Sequence, residues 1–262
     1  MSYMNLPRGR VYYETYGSGD AILLVSGLNG TSSYWRPQLE EFSRDHTVIV
    51  YDQLGCGRSD LVEPQTSIED LSADAIELMD ALGIETFHLV GLSTGAAVGQ
   101  MLAVHQPARL HKMVLAAGWA RADECFRRTM GLRRELLTAS GPEAYMRAAA
   151  VFLYPGSWIN EHAALLSRLE PELLAEFGSN DIVVGRINAV LAFDNFEENA
   201  AIRTPTLVTV ASDDILTPVR LSEELAGSIP GAELRLFDGG GHAFTAVNAG
   251  LFNSMVLEFL KR

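Results

Sequence analysis

The pentapeptide Gly91-Leu92-Ser93-Thr94-Gly95 constrains this chain more than any other stretch, because it stands between an apolar run and a run of small residues. Residues 87–90 are typical of a buried strand, and residues 96–103 are typical of a helix. A serine between glycines at a strand-to-helix turn has a strained backbone that pushes its hydroxyl into the open. Ser93 is therefore predicted to be a nucleophile, although the pentapeptide alone also fits an ordinary turn.

Short apolar runs alternate with helical patterns along most of the chain. Strands that alternate with helices predict an α/β fold, with a mostly parallel central sheet covered by helices on both faces. The first two runs are joined through Gly17-Ser18-Gly19-Asp20, which favours an antiparallel hairpin at one edge. Ser67 and Gly83 are predicted to begin and end a helix. The predicted strands are residues 11–16, 21–25, 47–51, 87–90, 113–117, 206–211 and 233–237.

Between residues 119 and 199 the alternation stops and helical patterns follow one another. Breaks are expected at Gly141-Pro142, Pro155-Gly156, Pro171 and Gly178-Ser179. An all-helical insertion in an alternating chain is typical of a cap over the strand ends. We expect residues 1–118 and 200–262 to form the core and residues 119–199 to form this helical cap.

A serine hydroxyl needs an adjacent base, which a third group orients. Enzymes with this elbow take their partners in the chain order serine, acid, histidine. His242 lies in a glycine-rich loop after the last predicted strand, so it is the predicted base among six histidines. Asp213 and Asp214 both follow the strand at 206–211. Because they are adjacent, only one of them can face the histidine, and the other is expected to cap a helix.

Attack on a carbonyl places charge on its oxygen, which backbone N–H groups stabilise. The N–H of Thr94, at the start of the nucleophile helix, is one expected donor. The second is expected from the loop after residues 21–25, where Leu28 is favoured. In the segment 51–60, Asp52 and Arg58 are predicted to brace a strand end, since the P-loop lysine is absent.

With elbow, triad order and loops in place, the chain resembles the α/β-hydrolase superfamily over essentially its whole length. Ser26-Gly27-Leu28, residues 33–39 and 51–53, Gly118-Trp119 and residues 152–155 are similar to the aminoacrylate hydrolases of pyrimidine utilisation. The elbow and residues 52–59 also resemble 3-oxoadipate enol-lactonases and acyl-homoserine lactonases of this fold. Many relatives begin the oxyanion loop with His-Gly, where this chain has Ser26-Gly27.

The resemblance favours Asp214 as the acid, because its spacing to Pro218 resembles the acid turn of many such hydrolases. It also implies that Trp119 and Tyr154 line a substrate pocket. It implies a serine hydrolase without cofactor that cleaves a small carboxylic ester or lactone, acyl-homoserine lactones among them, through an acyl-enzyme. An amide or enamine-type C–N bond, as in aminoacrylate, is the alternative, and a non-catalytic ligand receptor is another.

Charge and cysteine content narrow the remaining possibilities. The net charge of -13 and pI near 4.9 disfavour nucleic acid and anionic membranes as partners. Two cysteines without a CxxC pair predict neither disulfides nor a metal site. The sequence predicts a cytoplasmic protein, monomer or homodimer, that binds a small-molecule substrate. Arg127, Arg128, Arg133 and Arg134 are expected on a solvated helix face, with carboxylate binding as the alternative.

Overall fold

Eight strands form one central sheet in the computed structural model, which describes residues 2–64 and 67–262. The spatial order is β1-β2-β4-β3-β5-β6-β7-β8, and every neighbouring pair from β4 to β8 is parallel. The α/β fold class predicted from the sequence is confirmed. The strands are β1 (Ser2–Leu6), β2 (Gly9–Tyr16), β3 (Asp20–Val25), β4 (His46–Tyr51), β5 (Phe87–Leu92), β6 (Leu110–Ala116), β7 (Thr206–Ala211) and β8 (Glu233–Phe237).

Strand β3 shows why the sheet is covered on both sides. Ile22 and Leu24 pack in the hydrophobic cluster on one face, and Leu23 and Val25 pack in the cluster on the other. All four side chains are fully buried. Because side chains alternate along a strand, an unbroken apolar run requires a layer of protein on each face of the sheet.

The covering layers are helices. The helices are α1 (Arg36–Phe42), α2 (Ile68–Ala81), α3 (Thr94–His105), α4 (Glu124–Leu153), α5 (Gly156–Glu161), α6 (Ala163–Ala175), α7 (Asn180–Ala192), α8 (Val219–Ser228), α9 (Phe244–Val247) and α10 (Ala249–Lys261). Helix α2 begins as predicted, since the Ser67 hydroxyl accepts a hydrogen bond from the Asp70 N–H at 3.2 Å. Among the residues described, no helix is both long and apolar enough to cross a membrane.

The predicted hairpin between residues 11–16 and 21–25 is wrong. Strand β4 lies between β2 and β3, antiparallel to the first and parallel to the second. Gly17 and Gly19 pass over the segment before β4 so closely that a Cβ on either would lie 2.3 Å from the carbonyl oxygen of Ser43 or Asp45. These glycines therefore permit a close crossing instead of a tight turn. The antiparallel hairpin is formed by β1, which the sequence analysis missed, and β2.

Helices α4 to α7 all lie between β6 and β7, in the segment assigned to the cap. Gly141, with φ 82°, interrupts α4, and Ser179 caps the start of α7, so breaks occur at both places. The break expected at Pro171 is wrong, because α6 continues through it. Since β6 and β7 are parallel neighbours, the insertion leaves the sheet at the edge where their carboxyl ends lie.

Candidate active site

Ser93 occupies a sharp turn between β5 and α3. Its backbone has φ 54° and ψ -112°, in the left-handed half of conformational space that side chains rarely adopt. A Cβ on Gly91 would lie 2.2 Å from the Gly95 carbonyl oxygen, and one on Gly95 would lie 2.0 Å from that of Val25. Both glycines are therefore required for strand and helix to approach each other, as an elbow demands.

The strand edge around Ser93 fixes its position. The Ser93 N–H donates to the Ala116 carbonyl at 2.8 Å, which ties the elbow to the end of the neighbouring strand β6. A Cβ placed on Gly27 would lie 3.9 Å from the Ser93 Oγ. The loop after β3, which was expected to supply the second oxyanion donor, therefore faces the serine hydroxyl.

Asp214 lies in the turn after β7 and accepts four hydrogen bonds. Its Oδ1 accepts the N–H groups of Leu216 and Thr217, and its Oδ2 accepts the Thr217 hydroxyl and the His242 Nδ1–H. The His242 contact is 2.8 Å long, and the Asp214 side chain is 0% exposed. A buried carboxylate so fully hydrogen-bonded is held in one orientation. The structure thus joins Asp214, and not Asp213, to the histidine.

Two further contacts hold the loop of His242. The carboxylate of Asp213 accepts the Gly241 N–H at 2.8 Å, so this residue supports the histidine loop instead of capping a helix. The Ala243 N–H donates to the Leu153 carbonyl at 2.9 Å, at the end of α4. The histidine is therefore fixed on one side by the sheet edge and on the other by the inserted helices.

Only the Nδ1 atom of the His242 ring is engaged by Asp214. Because Nδ1 donates to Asp214, the hydrogen-bond network assigns the tautomer in which Nε2 carries the lone pair. Within the described residues, the Ser93 hydroxyl makes no hydrogen bond, to His242 or to any other group. Ser93, Asp214 and His242 follow β5, β7 and β8, whose carboxyl ends share one sheet edge. Catalytic hydrogen bonds often tighten only when substrate binds.

The two expected oxyanion donors belong to the residue after Ser93 and to the loop that faces it. Thr94 is the first residue of α3, so its N–H has no acceptor within the helix. Leu28 follows Gly27 in the facing loop. The side-chain amide of Gln53 donates to the Ser26 carbonyl at 3.1 Å and the Gly27 carbonyl at 3.3 Å. Sequence reasoning assigned no role to Gln53, although it lies two residues after the end of β4 in the segment 51–53 that carries the family resemblance.

The brace predicted between Asp52 and Arg58 is confirmed. The Arg58 Nε donates to the Asp52 carboxylate at 2.9 Å, and the Ser32 N–H donates to it at 2.8 Å. Burial alone would raise the pKa of Asp52, but these hydrogen bonds outweigh it and hold the pKa below its usual range. The brace connects the segment after β4 with the segment after β3.

Trp119 and Tyr154 occupy different environments. Trp119 is fully buried against the rings of Phe126 and Phe193, and its indole N–H has no hydrogen-bond partner in the described part of the chain. Tyr154 is half-buried and stacks on Trp158 with a centroid distance of 4.1 Å. A Cβ on Gly241 would lie 3.2 Å from the Tyr154 Cα, so Tyr154 adjoins the histidine loop.

The four arginines of α4 do not form one solvated face. Arg127 and Arg128 are exposed, and Arg128 pairs with Glu124 at 2.8 Å. Arg134 is half-buried and donates to Asn188. Arg133 is buried, so the expectation of a solvated position is wrong for it. The sequence already contained a signal for this burial. Arg133 is spaced three or four residues from its neighbours on one apolar stripe of α4, which consists of the buried residues Phe126, Met130, Arg133 and Leu137.

The described residues hold no cluster typical of a metal site. Across residues 2–64 and 67–262, no three His, Cys, Asp or Glu side chains gather closely enough to hold an ion. Cys56 is buried and Cys125 exposed, and both are free thiols.

Known proteins resemble this chain over nearly its whole length. The protein from Azorhizobium caulinodans named "Putative carbamate hydrolase RutD" is 42% identical over 259 residues, which cover 99% of this chain and 98% of that one. A protein of the same name from Caulobacter sp. strain K31 is 38% identical over 256 residues, 95% of each chain.

Solved structures show the same fold. A hydrolase from Pseudomonas aeruginosa PA01 superposes with a TM-score of 0.91 and 26% identity, over 100% of this chain and 98% of that one. The enol-lactonase from Burkholderia xenovorans LB400 gives a TM-score of 0.92 at 24% identity, over 100% of both chains. The model of the alpha/beta hydrolase fold family matches residues 20–249. The chain therefore belongs to the α/β-hydrolase fold family, as its sequence indicated.

Proposed function

We propose that this protein is a serine hydrolase that cleaves an acyl bond in a small substrate through an acyl-enzyme. One observation carries the proposal: a strained serine at a strand-to-helix elbow shares its sheet edge with a buried, hydrogen-bonded Asp214–His242 pair. In this proposal Ser93 attacks the carbonyl, His242 Nε2 takes its proton, and Asp214 stabilises the imidazolium that forms. The histidine then gives the proton to the leaving group, and water repeats the sequence on the acyl-enzyme.

The oxyanion of each tetrahedral intermediate is assigned to the N–H groups of Leu28 and Thr94. Each donor of this kind contributes about 3 to 4 kcal/mol of transition-state stabilisation. The Gln53 amide supports the first donor by holding the carbonyls of Ser26 and Gly27. Because these are backbone groups, the absence of histidine at position 26 leaves the donors in place.

The helical segment 119–199 is proposed as the cap of the substrate site. Leu153 binds the loop of His242, and Tyr154 lies against Gly241, so this segment contacts the catalytic edge directly. Tyr154 is proposed to form one wall of the pocket and Trp119 its floor. The unpartnered indole N–H of Trp119 supports this, since a buried donor is costly unless a ligand or water accepts from it.

A small carbamate is the substrate class that we assign first. The support is the name shared by relatives that match nearly the whole chain at 36 to 42% identity. Hydrolysis of a carbamate would use the same acyl transfer and proton path, with the amine as the leaving group. An enamine has no acyl carbon, so cleavage of its C–N bond, as in aminoacrylate, would proceed by addition of water and not through an acyl-enzyme. The small esters and lactones predicted from the sequence, acyl-homoserine lactones included, would form the same type of acyl-enzyme and are the comparison substrates.

Steady-state kinetics on a panel of small carbamates, p-nitrophenyl esters, lactones and enamine-type amides tests this proposal. We expect turnover of at least one class in the wild-type protein and loss of about 10⁶-fold in kcat for Ser93→Ala. Ser254→Ala is the matched control, because Ser254 is exposed and donates only to the Gly250 carbonyl of its own helix. A wild-type protein that turns over no member of the panel, but binds one of them, would favour a receptor.

A further inference from the structure

Arg133 is a buried cation inside the inserted helical segment. Its side chain projects from α4 in the same inward stripe as Phe126 and Met130, and only 7% of the residue is exposed. Arginine is almost never this buried unless a partner compensates its charge. The position therefore calls for an explanation beyond helix packing.

The protein contacts of Arg133 are all neutral. Its Nη2 donates to the Tyr145 hydroxyl at 2.8 Å, and its Nη1 lies 3.8 Å from the Met130 sulfur. The guanidinium carbon also lies 5.1 Å from the Tyr145 ring centroid and 5.7 Å from that of Phe152. Burial raises the pKa of Tyr145, so its hydroxyl is a neutral phenol that cannot balance the charge.

No carboxylate pairs with Arg133 in the portion of the chain that the structure describes. A guanidinium has five N–H donors, and the contacts above engage only two of them. The remaining donors form a planar fork that matches the two oxygens of a carboxylate. An anion bound to these donors would supply the counter-charge that the protein contacts lack.

Contacts on either side place Arg133 between the two catalytic loops. Phe152 precedes Leu153, whose carbonyl accepts the N–H of Ala243 beside the catalytic histidine. Tyr145 packs edge-on against Phe177 at 5.7 Å, and the Phe177 carbonyl accepts from the Asn29 side chain beside Leu28. Two residues thus connect the guanidinium to the histidine loop, Phe152 and Leu153, and two connect it to the oxyanion loop, Tyr145 and Phe177.

We propose that Arg133 binds a carboxylate of the substrate, so that the preferred substrate is a small acid whose scissile acyl group lies a few bonds from a free carboxylate. The inference rests on the proposed function, since it names the substrate of the same site. A neutral substrate leaves the guanidinium buried without a counter-charge, whereas an anionic one neutralises it and fixes the orientation of the acyl group.

The kinetic test compares mono-4-nitrophenyl glutarate with 4-nitrophenyl butyrate, which share a leaving group and differ in the terminal carboxylate. We expect the wild-type ratio of kcat/KM, anionic over neutral, to fall by roughly 10- to 100-fold in Arg133→Gln. Arg133→Lys keeps the charge but not the fork, so an intermediate ratio is expected. Arg127→Gln, on the exposed face of the same helix, is the control and changes the ratio by less than about twofold.

A purely structural role predicts a different pattern. If Arg133 only links the two parts of α4 on either side of Gly141, Arg133→Gln lowers the melting temperature and slows both esters alike, with the ratio unchanged. That result overturns the inference.

A binding measurement separates this inference from the proposed function. Calorimetric titration of glutarate into the Ser93→Ala protein needs no turnover, and we expect binding that is lost when Arg133→Gln is added. If neither ester and no member of the substrate panel is hydrolysed but glutarate binds through Arg133, the proposed function fails and the anion site stands. If Ser93→Ala protein does not bind glutarate, or binds it equally well with Arg133→Gln, the inference is wrong.

Discussion

The substitution Gly95→Ala tests whether the elbow depends on the close approach of α3 to β3. The added methyl would lie 2.0 Å from the Val25 carbonyl oxygen, 2.8 Å from its carbonyl carbon and 3.1 Å from the Ser26 oxygen. All three are backbone atoms, so no side chain can rotate away. Contacts of Cβ below 3.0 Å are essentially never seen, so the helix start must move by about 1 Å.

That movement displaces Ser93 and the Thr94 N–H relative to the oxyanion loop. A misplacement of about 1 Å costs on the order of 100-fold in rate. Forced overpacking of this kind also lowers the free energy of unfolding by about 1 to 3 kcal/mol. We therefore expect kcat/KM to fall at least about 100-fold, by more than the loss of folded protein explains.

The assay combines urea unfolding with kcat/KM on the best substrate. Gly99→Ala is the matched control on the same helix, because its methyl would meet only the side-chain ends of Leu115 and Leu89, both at 2.9 Å. It is expected to lower stability while leaving kcat/KM within about threefold. If Gly95→Ala is folded and hydrolyses substrate at the wild-type rate, the tight elbow is not what positions Ser93.

Three further changes probe the acid, a buried histidine and a helix cap. Asp214→Asn should lower kcat about 10⁴-fold through the wrong histidine tautomer, whereas Asp213→Asn keeps an acceptor for the Gly241 N–H and should lose less than about tenfold; comparable losses in the two would contradict the assignment. Burial, with the charges of neighbouring histidines, lowers the pKa of His88 to about 4. Between pH 6.5 and 4 the unfolded state therefore binds more protons than the folded state. The free energy of unfolding that His88 contributes above pH 6.5 is lost as the pH falls through this range. Unfolding of His88→Gln across that range should show a slope smaller by up to about 1.4 kcal/mol per pH unit, and an unchanged slope would exclude His88. Ser67→Ala removes the cap of α2 and should lower the unfolding free energy by about 1 kcal/mol in urea titration, while no change would show that the cap adds nothing.

The sequence predicted the parts of this fold that depend on local patterns. The strand at β7, the cap of α2 and the elbow at Ser93 each follow from residues close together in the chain. The hairpin prediction failed because β2 pairs with β4, which lies about thirty residues further along the chain, and not with the next strand, β3. The glycines at 17 and 19 indicated a special backbone but not whether it turns or crosses another segment.

The candidate site shows the same limit. Chain order selected His242, and the structure places Asp214 against it, whereas the support from Asp213 and Leu153 depends on tertiary contacts. Arg133 was assigned to a solvated face because arginine is normally exposed. Its spacing from Phe126, which places it on the apolar stripe of α4, would have predicted its burial correctly.

Labelling with a fluorophosphonate, mapped by mass spectrometry of the digested protein, tests the central claim most directly. We predict a single adduct on the peptide that carries Ser93, formed much more slowly when His242 or Asp214 is replaced and absent in Ser93→Ala. A folded wild-type protein that takes up no label, or that carries it on another residue while Ser93→Ala still hydrolyses substrate, would contradict the assignment of Ser93 as the nucleophile.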